Sequence, residues 1–269
     1  MPDREILAYY AAIAPLILPF LRGRRVAIRH TFGQKRVFRR HPRPGSRRWI
    51  YIRRREELLA WVRLHGYEYF PHLRGSGGDW FGLDIDFRAL PWKLGIYAVI
   101  RAAEIFQAHN IRFLLKYSGA NGFHFMWRWQ RPQSRSWPGG SLWRFSQQVA
   151  HALHVRLEES LQRSPRRGEY YRYLPARDPI TEDNAADRVA QHSILIDELI
   201  LKRMATMRAP WSLHMKKRWV SVPVNPQQLP RFIPARHATM QYVMRNASRA
   251  TMPFNSLAKL RRFIEIEKL

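Results

Sequence analysis

The sequence predicts an α+β fold organised as one compact unit, residues 1–269, rather than two independent domains. Three observations carry that reading. Of the 269 residues, 46% are hydrophobic, enough for a sizeable core and too many for global disorder. Stretches with apolar residues at helical spacing are interleaved with short runs that suit strands, so helices and strands are mixed along the chain. Finally, the best place for a division is the polar stretch 164–187, yet aspartates ending apolar runs stand on both sides of it, in Leu83-Asp84-Ile85-Asp86 and in Ile194-Leu195-Ile196-Asp197.

Taken in order, Ile6–Leu21 reads as a buried helix broken near Pro15, since proline lacks the N–H that a helix interior needs. The segment is shorter than the ~20 residues of a membrane span. Asp3 and Glu5 precede it, and Arg22, Arg24 and Arg25 follow with no small-residue cleavage site, so neither a span nor a signal peptide is expected. Arg25–Arg29 and Arg36–Phe38 alternate apolar and basic residues around Phe32-Gly33, the pattern of a basic hairpin. A loop (41–46) leads to a strand over Trp49–Ile52, a helix over Glu56–His65 ended by Gly66, and a strand over Tyr67–Leu73. Gly75-Ser76-Gly77-Gly78 is a turn that delivers Trp80–Asp86 as a central strand. A helix over Leu90–His109, strands over Arg112–Tyr117 and Phe123–Trp129, and a helix over Leu142–Leu161 follow. Stretch 164–187 is read as an irregular surface excursion, Ser193–Ile196 as a short buried strand, Trp219–Val224 as a strand, and Ser256–Leu269 as a closing amphipathic helix. The unit divides into a helix and basic arm (1–75), a central block of motifs (80–224) and a helical tail (225–269).

The formal net charge is +27, from 47 Lys and Arg against 20 Asp and Glu. A folded chain this basic repels itself unless it meets a polyanion, nucleic acid before an anionic membrane. There is no cysteine, which excludes disulfides and any zinc–thiolate site. A cytoplasmic, nucleoid-associated protein with no membrane partner is the matching expectation.

Against that background the acids are informative. Asp84 and Asp86 alternate along an apolar strand and therefore share a face. With Asp197 they form a trio of hard oxygen donors suited to two Mg²⁺ or Mn²⁺ ions, which keep positions open for phosphate. Two such ions roughly 3.5–4 Å apart clamp the attacking and leaving oxygens of a phosphoryl or nucleotidyl transfer. Ser118-Gly119-Ala120-Asn121-Gly122-Phe123-His124 offers a turn with backbone N–H groups and a hydroxyl for phosphate oxygens, with Lys116 and His124 flanking it. Arg208-Ala209-Pro210-Trp211-Ser212-Leu213-His214 is a second phosphate-seeking cluster. In the basic block Phe38, Arg39, Arg40, Arg53 and Arg54 combine guanidinium groups with an aromatic ring, which suits a nucleic-acid strand. Taken singly, each motif also fits a plainer reading: a solvated acid turn, a packed histidine, a helix cap or a charged surface.

Together, in order, the motifs resemble the archaeo-eukaryotic primase superfamily, whose signature is an Asp-x-Asp strand, a Ser-Gly-x-x-Gly-x-His turn and a late hydrophobic-Asp. Within it the chain is similar to the polymerase domain of bacterial DNA ligase D. Tyr9-Tyr10, Ala14-Pro15, Leu18-Pro19 and Gly23-Arg24 match its opening helix, and Pro210-Trp211-Ser212-Leu213 with Val220-Ser221-Val222-Pro223 match its later segments. The likeness covers about Arg4–Leu229. It implies an RRM-like catalytic sheet packed beside a second α/β unit. It also implies two-metal addition of NTPs or dNTPs to a DNA primer on a template, with Asp84, Asp86 and Asp197 as catalytic metal ligands. By the same resemblance Lys116, Ser118, His124, Arg208, Ser212 and His214 bind the nucleotide. The chain departs from the pattern at His214, where ligase D domains usually carry arginine, and at Ala120 and Asn121, where primases often have arginines. A repair polymerase of the end-joining type, working with a separate ligase or end-binding protein, is the favoured expectation. Primer synthesis is its alternative. A non-catalytic single-strand binder and a sugar-nucleotide transferase using one Mn²⁺ are the rivals from other classes.

Overall fold

The structure, a computed structural model, describes residues 3–33, 35–43, 45–76, 78–87, 90–129, 142–172, 180–181, 194–197 and 205–265, with Asp197 described in its backbone. The first helix, α1 (Arg4–Leu21), is opened by Asp3, whose carboxylate accepts from the N–H groups of Glu5 (3.0 Å) and Ile6 (3.4 Å). It is not broken at Pro15; it runs unbroken through Pro15 and Pro19. Proline at 15 leaves the Ala11 carbonyl without its helical donor, and Arg55 Nε points to that oxygen from outside at 3.4 Å. By length and composition α1 could cross a membrane, but its apolar side, including Ile6, Tyr9, Tyr10, Ile13 and Ile17, is buried in the core.

The basic hairpin forms as expected from β1 (Arg24–Phe32) and β2 (Lys35–Arg39). The expected strand at Trp49–Ile52 reduces to a single bridge between Ile50 and Val26. Helix α2 (Arg55–Arg63) ends at Leu64 rather than at Gly66; His65 takes the left-handed turn (φ 61°) and Gly66 opens β3 (Gly66–Gly75). Strands β2, β1 and β3 make a three-stranded antiparallel sheet in that order.

The second sheet holds β4 (Asp79–Asp86), then after α3 (Trp92–Ala108) the pair β5 (Leu114–Tyr117) and β6 (Gly122–Trp129). It is completed, after α4 (Leu142–Gln162) and the short α5 (Arg167–Arg172), by β7 (Ile180–Thr181) and β8 (Ile194–Asp197). Stretch 164–187 is thus not wholly irregular. The spatial order is β5-β6-β4-β8-β7. The run β4-α3-β5-β6-α4-β8 is the split βαββαβ unit, so the expected RRM-like sheet is present. Odd positions of the central strands form the core: Phe81 stacks on Trp127 (4.1 Å), and Phe106 of α3 meets Phe125 (5.3 Å) and Trp127 (5.5 Å) edge-on. The even positions, Asp84, Asp86 and His124 among them, are left for the opposite face.

One segment ties the two sheets together. Residues 205–209 run beside β3, with Leu73 N donating to Ala205 O (3.0 Å) and Ala209 N to Tyr69 O (2.9 Å). The chain then turns through β9 (Leu213–His214) and β10 (Trp219–Val220) and passes beside β5, where Tyr117 N donates to Val222 O (2.8 Å) and Val224 N to Leu115 O (2.9 Å). The expected Trp219–Val224 strand is therefore two residues of hairpin followed by an edge partner of β5. The tyrosine pair of α1 anchors this segment from below: Tyr9 Oη donates to Trp211 O (2.7 Å), while Tyr10 Oη donates to Tyr67 O and accepts from Leu213 N (3.1 Å). Replacing Tyr10 by Phe strands both buried backbone groups, so Tyr10→Phe is expected to cost about 1–3 kcal/mol in urea unfolding.

The tail is a 3-10 turn (Pro226–Arg231) and helices Pro234–His237, Met240–Asn246 and Leu257–Glu265. The last is the expected closing helix, its described part ending at Glu265. Phe263 packs on Phe106 at 5.5 Å and carries the Arg156 guanidinium over its ring at 4.4 Å.

Candidate active site

The pairing register collects the predicted residues. In the antiparallel ladder Lys116 stands opposite His124, His124 opposite Asp84, and Asp84 opposite Asp197. Four residues drawn from four strands thus occupy one row across the sheet, and directly opposed residues lie on the same face. Asp86 stands two residues along, opposite Gly122. Glycine is needed there: a Cβ at Gly122 would collide with the Ile85 carbonyl and the Asp86 carboxylate. Asp84 and Asp86 are both partly exposed. The described side chains contain no group of three metal-donor residues; the third acid of the trio, Asp197, enters through its backbone position opposite Asp84.

Behind the aspartates lies a buried polar chain. His124 Nε2 is 3.2 Å from Asp84 Oδ1. On the other side of the ring Nδ1 meets Lys116 Nζ, which also donates to Ser221 Oγ at 2.9 Å. With Lys116 protonated its ammonium can only donate, so Nδ1 accepts and the imidazole proton sits on Nε2, aimed at the Asp84 carboxylate. Ser221 Oγ in turn donates to Tyr117 O (2.8 Å). Burial holds the Lys116 amine well below its usual range, with Arg208 adding to the effect. Burial also lowers His124 strongly, with Lys116 and then Arg208 contributing. Lys116 is 0% exposed. Its amine is held from behind the site by His124 and Ser221.

The two phosphate-seeking motifs meet, although some ninety residues separate them. Gly119 has φ +88°, and a Cβ there would meet His214 Cβ at 2.9 Å, so the Ser-Gly turn sits against the β9–β10 hairpin. Ser118 Oγ accepts from the N–H groups of Ala120 (3.2 Å) and Gly122 (3.3 Å), which braces the turn. Ser212 is also a brace. It is 0% exposed and its Oγ accepts from Tyr69 N at 2.8 Å. Arg208 is nearly buried and donates to Glu68 Oε2 and to Leu213 O, both at 2.5 Å. Arg29 reaches the same Glu68 oxygen at 3.4 Å. His214 Nδ1 is buried with no partner among the described residues. Sequence reasoning missed Glu68, Arg29 and Ser221. The available signal for Glu68 was a lone acid amid the aromatic strand Tyr67-Glu68-Tyr69-Phe70; no local signal marks Ser221.

Burial, followed by the nearby arginines, lowers His214 to about 4 and His72 to about 4. Both are neutral in the fold, whereas an unfolded histidine protonates near 6.5. The unfolded chain then binds more protons between those values. Stability is present above about pH 6.5 and drains away as pH falls through that window towards 4. Urea midpoints at pH 7 and pH 5 are expected to differ in that sense, and His214→Asn is expected to flatten the difference.

The residues expected at nucleic acid lie on the first sheet and its loop. Phe38 on β2 packs edge-on against Phe70 (5.3 Å) and carries Arg40 over its ring at 5.4 Å. Ile50 N donates to Arg40 O (3.2 Å), which draws the loop back so that Arg53 sits over Tyr51 at 5.7 Å. Arg39 is partly exposed and Arg40 and Arg53 are exposed. Arg54 differs from them in pairing with Glu57 at 3.4 Å.

An α+β protein with an RRM-like sheet, aspartates on its open face and a second sheet tied to it by a cation-bearing segment is a defined class. Comparison with protein families matches residues 3–169 to the family described as LigD, primase-polymerase domain. The chain belongs to that family. Among solved structures, the polymerase domain from Mycobacterium tuberculosis ligase D, in complex with DNA, superposes with a TM-score of 0.65 at 15% sequence identity, over 89% of this chain and 86% of that one. No curated protein matches the chain.

Proposed function

We propose that this chain is a template-dependent nucleotidyltransferase that adds NTPs or dNTPs to a DNA end, as a repair-type primase-polymerase. The observation that carries the reading is the register row Lys116–His124–Asp84–Asp197 with Asp86 beside it. Family membership supports the same activity. Asp84, Asp86 and Asp197 fit Mg²⁺ or Mn²⁺: all three are hard oxygen donors, and Asp84 and Asp86 are partly open. When bound, such a pair of ions lowers the pKa of a primer 3′-hydroxyl and stabilises charge on the α-phosphorus.

The chain's own residues do the remaining work. His124, hydrogen-bonded through Lys116 to Ser221, holds the Asp84 carboxylate in one orientation. Arg208 and Arg29 place positive charge, and His214 a neutral ring nitrogen, where a triphosphate would lie against the Ser118–Gly122 turn. With the ions held there, the primer 3′-hydroxyl would give up its proton to solvent, its oxygen would bond to the α-phosphorus, and the bond to the departing pyrophosphate would break. Phe38 with Arg39, Arg40 and Arg53 holds the template strand by stacking and phosphate contacts.

Incubation with Mn²⁺, labelled NTPs or dNTPs, and either a gapped duplex or a bare single strand tests the reading. Product confined to the gapped duplex is expected. Product on the bare strand makes the chain a primer-synthesising enzyme. Absence of product on both, with DNA still bound, leaves a non-catalytic binder.

A further inference from the structure

We infer that a cavity in the helical tail, separate from the aspartate site, is a binding pocket for a nucleotide of single-stranded nucleic acid. The cavity has a volume of about 860 Å³, within the roughly 300–1,000 Å³ of pockets that enclose small ligands. One wall is the strand segment 222–224. That segment pairs with β5, and at Lys116 it bridges through Pro223. None of the aspartates or triphosphate-motif cations lines the cavity.

Its lining has the two chemistries a nucleotide requires. The rings of Phe232 and His237 stack at 5.7 Å with 25° between their planes, and Tyr242 meets His237 edge-on at 5.1 Å. His237 and Tyr242 are partly exposed, backed by Phe232, which is buried against Tyr117 and Phe123, so the solvent side of this wall is aromatic. Arg231 stands at the same cavity, exposed and with no ion-pair partner among the described residues. Asn246 spends its amide nitrogen on Tyr242 O (2.9 Å), and it too lines the cavity. Between Glu198 and Glu265 the sequence has no acidic residue, while Arg231, Arg236, Arg245 and Arg249 all fall in this tail. A neutral apolar ligand would leave Arg231 unused, and a simple anion would leave the rings unused. A nucleobase stacked on the ring wall with its phosphate on Arg231 uses both.

The same chemistry could arrive as a free mononucleotide or as one unit of a strand. The pocket's position in a chain of net charge +27 favours the strand. This inference is independent of whether the aspartates catalyse anything.

The test uses the full chain and a short oligo-dT carrying one 5-iodouracil, with fluorescence anisotropy on an unmodified labelled copy. Arg231→Glu is expected to weaken oligonucleotide binding by about 10-fold, the scale of one lost stacking and phosphate contact. Arg236→Glu, an equal charge change on an exposed residue outside the lining, is expected to weaken it several-fold less. Cross-linking is expected to mark the peptide containing His237 or Tyr242. AMP at millimolar concentration is expected not to compete. Competition by AMP that Arg231→Glu abolishes would make the pocket a free-nucleotide site and overturn the strand assignment. Equal losses in the two variants, with cross-links confined to other peptides, would overturn the pocket altogether. Asp84→Ala, which lies outside the pocket, is expected to keep both the Arg231-dependent binding and the cross-link, so loss of the pocket and loss of the polymerase reading give different results.

Discussion

Asp84→Ala is expected to abolish nucleotide incorporation while leaving most DNA affinity in place. Asp84 is the centre of the row: Asp197 stands opposite it on one side and His124 on the other, with Nε2 at 3.2 Å from its carboxylate. On the proposed function, removing it takes away a shared metal donor and the carboxylate that His124 Nε2 faces. Removing one group from a preorganised charge-stabilising site costs about 10²–10³ in rate, and a shared ligand should cost at least that. On the proposed function, DNA affinity rests instead on the arginines of β2 and its loop and on the tail. Primer extension and anisotropy measured on the same preparation check both halves. An Asp84→Ala protein that still extends a primer at near wild-type rate contradicts the assignment, as does one that loses DNA binding in step with activity.

The largest stability effect is expected at Glu68. This carboxylate is fully buried and is shared by Arg208 and Arg29 across the join between β3 and the bridging segment. Arg208 is itself only 8% exposed, so it cannot turn to water if Glu68 is removed. Breaking one side of such a pair costs about 3–5 kcal/mol because the surviving charge is stranded. Glu68→Leu should therefore lower the urea midpoint sharply. Removing both partners, as in Glu68→Leu with Arg208→Met, should recover much of the loss. If the single variant is as stable as the parent, the ion pair does not bridge the two sheets as described.

Much of the site was legible in the sequence because strands impose a period of two. Asp84 and Asp86 could be placed on one face, and apart from Ile85, before any coordinates. The joining of Asp197 to them could not be derived locally. It depends on β8 pairing with β4 rather than with β5 or β6, a choice made by the crossover through α4 and by the packing of both helices on one face. The resemblance of the ordered motifs supplied what periodicity lacked. Where the reading failed, the cause lay at long range. Pro15 does not break α1, because Arg55, forty residues away, supplies the missing donor to Ala11. The burial of Lys116 and Ser212, with their polar atoms bonded to His124, Ser221 and Tyr69, was likewise not readable from residue type. Burial of a polar side chain beneath a site is set by what packs above it, and neither neighbour is adjacent in sequence.

The central claim is that Asp84, Asp86 and Asp197 together hold divalent cations. Its most direct test is a Mn²⁺ titration followed by electron paramagnetic resonance, on the full wild-type chain and on Asp197→Asn. Asp197 is the decisive choice because it reaches the site from the far side of the polar stretch. The expected result is saturable Mn²⁺ binding by the wild type that is lost or strongly weakened in Asp197→Asn while the fold is retained. Equal Mn²⁺ affinity in the two proteins would contradict the claim.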